Sequence, residues 1–278
     1  MHAAVEATRS RVTEDGYSLR YRAWQGGSSD TLVVTLHGVL SHSGWFDPLA
    51  RVLVARGVHV IGHDRRGSGL NQEGRGDVDG PGRLLDDLRA VVRPYRERYR
   101  TIVYLGWCLG STIALRHLLA HPELGEGLLL MSPDVYERHL TDEVRATFAS
   151  PHWEGRVIPR LRVPIPPEAY TDGPALQTIR ADALKLKDFT PRFLRATLAL
   201  RAGIEEAYAA FRAPSRLLLA GRDTVVDNAK TTALYEGIGS VDRGMVVFDT
   251  NHGILFEATE ELASVVTSFA CSVARRAA

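Results

Sequence analysis

The chain has 278 residues, long for an average domain but within the range of a single α/β domain that buries a sizeable core. Its 34 basic and 33 acidic residues nearly cancel and no run of like charges appears, which excludes the electrostatic footprint of nucleic-acid binding or of attachment to an anionic membrane. No stretch approaches a membrane-spanning length, the N-terminus lacks a basic region followed by a long apolar run, and two distant cysteines, Cys108 and Cys271, make no disulfide framework. A cytoplasmic protein with a small-molecule partner is therefore expected.

Arg9 to Trp24 alternates around Asp15-Gly16, a dipeptide that favours a tight turn, so two antiparallel strands should open a sheet. Leu32 to Leu36 and Val58 to Ile61 are continuous apolar runs, as in strands covered on both faces, and Phe46 to Arg56 between them has helical spacing. The unit repeats: Leu84, Leu85, Leu88, Val91 and Val92 share a helical face, followed by a strand over Thr101 to Leu105. A helix over Leu109 to Ala120 and a strand over Gly127 to Met131 come next. Strands resume at Ser215 to Ala220 and Met245 to Phe248, and the last helix ends near Arg275. This alternation predicts an α/β fold with a mostly parallel sheet flanked by helices. Residues 134–214 break the pattern with amphipathic helical stretches and the proline-rich piece Val163-Pro164-Ile165-Pro166-Pro167, without a convincing strand. They are expected to form a helical cap over a core made of 1–133 and 215–278.

Gly106-Trp107-Cys108-Leu109-Gly110 lies between the strand ending at Leu105 and the helix starting at Leu109. A nucleophile on such a turn needs small flanking residues because the following helix packs close to the strand, and the pattern is G-x-S-x-G with sulfur in place of oxygen. Most free cysteines are small buried hydrophobes, but a core cysteine needs no glycine-framed turn at a strand end. Cys271, in an apolar terminal helix without a motif, reads as structural. His-Gly at 37–38 and Asp64-Arg65-Arg66-Gly67-Ser68-Gly69 follow the two preceding strands.

On these motifs the chain resembles the α/β-hydrolase superfamily over nearly its whole length. The His37-to-Gly44 turn is similar to the monoglyceride-lipase and lysophospholipase-like branch, and the cysteine to that of dienelactone hydrolases. The resemblance implies an acyl-transfer enzyme with Cys108 as nucleophile, His252 as base in Asp249-Thr250-Asn251-His252-Gly253, and an acid after the preceding strand. Asp223 is the nearer choice; Asp227 reads as a helix cap and Asp249 as a remote third. The helix beginning at Leu109 and a nearby imidazole are expected to favour the thiolate. By resemblance, the oxyanion is met by the backbone N–H groups of Val39 and Leu109. His37 is expected to support its turn, and His42, Trp45 and Trp107 either line the pocket or merely pack. Neither a metal cluster nor a complete dinucleotide fingerprint is visible, so no cofactor is implied.

The resulting expectation is attack of Cys108 on an ester or thioester of a small-molecule or carrier-bound acyl group. Hydrolysis competes with transfer or cyclisation onto an amine or alcohol, because an acyl-thioester undergoes aminolysis readily. Carbon–carbon bond hydrolysis and a fold that has lost its catalysis are the remaining readings, the latter opposed by the complete triad set. Scarce Met and Phe fit an oxygen-ester lipase poorly. Whether the sulfur is native or replaces a serine, and the oligomeric state, are not specified by the sequence.

Overall fold

The computed structural model describes residues 4–138, 161–162 and 165–276. The 139–160 stretch of the expected cap, and Val163 and Pro164 of the proline-rich piece, lie outside the described residues. Strands β1 (Val5–Val12) and β2 (Ser18–Gln25) pair antiparallel around Gly16, whose φ of +83° suits glycine alone. Next come β3 (Thr31–Leu36), α1 (Asp47–Ala55), β4 (His59–His63), α2 (Pro81–Val92), β5 (Thr101–Trp107), α3 (Leu109–Ala120) and β6 (Gly127–Met131).

The expected cap region contributes β7 (Leu161–Arg162), α4 (Ala175–Ala181), β8 (Asp188–Phe189), α5 (Pro191–Arg201) and α6 (Ile204–Ala210). After it come β9 (Ser215–Ala220), α7 (Asn228–Glu236), β10 (Arg243–Phe248), α8 (Ile254–Glu257) and α9 (Thr259–Arg276). One expectation is corrected here: β7 and β8 form a small antiparallel ribbon in a stretch that showed no convincing strand. Two-residue strands are too short to display an alternation.

Eight strands form one sheet in the order β1-β2-β4-β3-β5-β6-β9-β10, parallel from β4 to β10. Alternate residues of the central strands face opposite layers. Val34, Tyr104 and Leu130 point to the side of α2 and α3, while Val33, Val103 and Leu129 point to that of α1 and α9. This two-sided burial is why those strands read as unbroken apolar runs.

The chain leaves β3 towards β4 on one side and returns to β5 on the other. The order therefore reverses between β3 and β5, and the loops beyond their carboxyl ends are splayed apart, where α/β sheets bind ligands. The loops at this point carry His37-Gly38 and Cys108. Glycine is required on both sides of the cysteine. A Cβ on Gly106 would lie 2.5 Å from Gly110 O and Ser111 Cα, and one on Gly110 only 2.2 Å from Leu36 O. No helix among the described residues is long and apolar enough to cross a membrane.

Candidate active site

Cys108 caps α3 with φ +52° and ψ −122°, a conformation that non-glycine residues rarely adopt. Its N–H bonds Met131 O at 2.9 Å, which ties the turn to β6. Leu109 N–H, at the first position of α3, works to lower the pKa of the cysteine thiol.

The other expected donor turn is held from behind by Arg65. Its Nη1 donates to His37 O (2.8 Å) and Gly38 O (2.9 Å), and its Nη2 to Val39 O (2.8 Å). In a trans peptide the N–H opposes the C=O. Turning Gly38 O towards Arg65 therefore turns Val39 N–H away from it, and among the described residues no backbone carbonyl takes that N–H. Gly38 faces Cys108 closely: a Cβ there would lie 3.2 Å from Cys108 Cβ. His37 Nε2 accepts Arg65 N–H at 3.2 Å and Nδ1 meets Gly38 O at 2.9 Å. Burial and the adjacent guanidinium hold this imidazole well below its ordinary pKa, so it braces the turn in its neutral form.

His252 is fully buried in the loop after β10. Its Nδ1 meets Asp223 Oδ2 at 2.8 Å, and Asp223 Oδ1 accepts Val225 N–H (2.8 Å) and Val226 N–H (3.1 Å). Burial works to raise the Asp223 pKa, but the imidazole and the two N–H donors outweigh it, and the carboxyl titrates below its usual range. Asp227 instead caps α7 through Lys230 N, and Asp249 pairs with Arg222 on the surface. Of the three acids considered, the fold brings only Asp223 to the histidine. His252 Nε2 is buried without a hydrogen-bond partner.

The imidazole lies between Trp107 (ring centroids 5.6 Å apart) and Tyr170 (5.4 Å), with Trp107 Nε1 on His252 O. Trp45 packs on Trp107 and Tyr170, both at 6.0 Å. Asp182 accepts from Trp45 Nε1 (2.5 Å) and meets His42 Nε2 (2.7 Å). His42, Trp45 and Trp107 are thus buried members of one polar-aromatic wall beside His252.

Sequence reasoning missed Tyr170, Arg65, Asp182 and a charged cluster at Cys108 itself. Asp134, fully buried just past β6, accepts Thr112 Oγ1 at 2.6 Å and is ion-paired with Arg201. Glu137 Oε2 lies 3.5 Å from Arg201 Nη2, and its Oε1 is 3.9 Å from Cys108 Sγ. Ligand atoms of Cys108, Asp134 and Glu137 fall within 4.8 Å of one another, a grouping invisible in the spacing of the chain. The guanidinium of Arg201 already supplies positive charge to both carboxylates. Of these residues, only Asp134 carried a legible signal, an acid directly beyond a parallel strand, and Arg65 lay inside a motif already noted.

This cluster corrects the expected resting thiolate. Burial pushes the Cys108 thiol well above its ordinary pKa and the Asp134 and Glu137 carboxylates push it further, against the weaker pull of Arg201 and Leu109 N–H. Cys271, expected in packed surroundings, is exposed because it lies off the apolar stripe of α9. Iodoacetamide should therefore modify Cys271 before Cys108 in the resting protein. Glu137→Gln, by removing one opposing charge, should lower the pH at which Cys108 alkylates and raise its rate several-fold near neutrality; an unchanged pH profile would exclude this electrostatic control.

The sheet, the strained turn and the acid–histidine pair define the protein as an α/β-hydrolase. The family model described as serine aminopeptidase, S33 matches residues 27–259, and the chain belongs to this hydrolase family. It is 26% identical over 271 residues to monoglyceride lipase of Homo sapiens, covering 92% of this chain and 86% of that protein. A monoacylglycerol lipase of Paleococcus ferrophilus superposes with a TM-score of 0.78 at 18% identity, over 97% of this chain and 99% of that one. A soluble variant of monoglyceride lipase from Saccharomyces cerevisiae gives 0.83 at 15%, over 97% and 95%. The resemblance to the monoglyceride-lipase branch is thereby supported. The family name specifies serine, whereas the elbow here holds Cys108, so membership by itself does not make sulfur the nucleophile.

Proposed function

We propose that the chain is a cysteine-dependent hydrolase that acts on an ester or thioester through an acyl-Cys108 intermediate, with His252 as base and Asp223 as its orienting acid. Sγ attacks the carbonyl carbon as its proton passes to His252 Nε2, and the oxyanion meets the N–H groups of Val39 and Leu109. Collapse breaks the bond to the alcohol or thiol, which takes the proton from His252. Water, activated by the same imidazole, then releases the carboxylic acid and restores the thiol. The partner is a small-molecule or carrier-bound acyl group, and residues 134–214 act as the cap over it.

The observations that carry this reading are a cysteine at φ +52° and, beside the ring of its chain neighbour Trp107 at 5.6 Å, a buried imidazole. The imidazole's Nδ1 is held by Asp223 while its Nε2 has no partner, the arrangement a base requires before substrate arrives. Burial of Cys108 to 1% exposure favours transfer to an amine or alcohol as the second reading, since an acyl group there is shielded from water.

The test is intact mass after exposure to a panel of acyl thioesters. A mass gain mapping to Cys108 and absent in Cys108→Ala is expected; labelling of Cys271 alone, or turnover that survives Cys108→Ala, refutes the nucleophile. Added amines and alcohols then divide the readings, because a hydrolase yields free acid across the whole panel.

A further inference from the structure

Arg201 closes α5 with its side chain only 5% exposed, and it is tied down on one side only: Nη2 bonds Asp134 and approaches Glu137. Its Nε and Nη1 are buried and have no hydrogen-bond partner. The carbonyls nearest in the chain, Leu200 O and Ala202 O, are engaged by Arg116 instead (Nε to Leu200 O, 2.9 Å). Buried guanidinium donors are rarely left unmatched, and among the described residues nothing matches these two, which leaves them open to an acceptor on a bound molecule. The nucleophile is close by: Glu137 bridges the two, with Oε1 3.9 Å from Sγ and Oε2 3.5 Å from Arg201 Nη2. One carboxylate group thus separates Sγ from the guanidinium, and an acyl chain attached to Sγ leaves from beside it.

The charges around Arg201 select the kind of acceptor. Two carboxylates already face the guanidinium, so a carboxylate on the acyl chain would add a third negative charge to a buried site, and an ammonium would be repelled by Arg201 itself. A neutral oxygen, hydroxyl or oxo, accepts from the free donors without changing the balance. A plain alkyl chain would cover those donors and leave them unmet, and sites built for a hydrogen bond reject the analogue lacking it.

We infer that Arg201 anchors the substrate, and that the acyl groups taken onto Cys108 carry a hydroxyl or oxo oxygen a few carbons beyond the reacting carbonyl. The inference rests on the acyl-Cys108 reading. It separates this chain from an enzyme for simple fatty acyl esters.

The probes are the N-acetylcysteamine thioesters of octanoic, 3-hydroxyoctanoic and 5-hydroxyoctanoic acids, with the rate of Cys108 acylation followed by intact mass. At least one hydroxylated thioester should exceed the octanoyl compound by roughly tenfold or more. That ratio should fall towards one in Arg201→Lys, which keeps a cation for Asp134 but removes the Nε and Nη1 donors. Arg201→Met combined with Asp134→Asn, which removes the fully buried carboxylate together with its cation, gives the same readout if the lysine variant does not fold, folding being checked by thermal melting. Equal rates for all three thioesters, or a ratio that persists in a folded variant, overturn the inference and leave the acyl-Cys108 reading standing. Acylation by none of them overturns both.

Discussion

Replacing His252 by Ala is expected to reduce turnover by roughly 10⁴-fold or more, since one imidazole serves as base in acylation and again in deacylation. Its Nδ1 contact to Asp223 and its unpartnered Nε2 make it the only residue here equipped for both steps. Asp223→Asn should act in the same direction with a smaller loss, because the amide cannot stabilise the charged ring. Asp227→Asn is the control. Its side chain caps α7 through Lys230 N, so it should leave turnover in place. Steady-state rates on one ester and one thioester decide the matter, and greater damage from Asp227→Asn than from Asp223→Asn would move the acid.

Acidification should unfold the protein through buried histidines. Burial lowers the pKa of His63 and of His117 from 6.5 to about 3, and holds His37 well below 6.5. A histidine with a depressed folded pKa binds its proton more readily in the unfolded chain. Its stabilising contribution is thus fully present above about pH 6.5 and is lost as the pH falls towards 3. At about 1.4 kcal/mol per group per pH unit, His63 and His117 together should remove about 4 kcal/mol by pH 5, a large part of a typical domain's stability. Urea midpoints between pH 7.5 and 4.5 measure the slope, and His117→Leu should flatten it by about one proton. A midpoint constant from pH 6.5 to 5 would mean that these side chains gain solvent or partners in solution.

Much of this protein was legible in one dimension because the physics behind it is local. Two-sided burial makes β3 and β6 mostly apolar, and Asp15-Gly16 specifies the first hairpin. Close approach of α3 to β5 demands Gly106 and Gly110 around Cys108, so the turn carries its own signature. The resemblance to α/β-hydrolases, in which acid and histidine follow successive strands, pointed to Asp223 and His252 before their contact was visible.

The tertiary structure alone decided the rest, because the groups concerned meet across long stretches of chain and obey no spacing rule. Arg65 reaches back 26 to 28 residues to hold three carbonyls of the His37 turn, and Arg201 crosses 67 residues to pair with Asp134. Tyr170 and Asp182 come from the expected cap region to the aromatic wall beside His252. The protonation of Cys108 belongs to the same category. A helix N-terminus argues for thiolate locally, but burial beside two carboxylates reverses the sign, since in a desolvated site the charges that tertiary packing brings near outweigh the nearest backbone dipole.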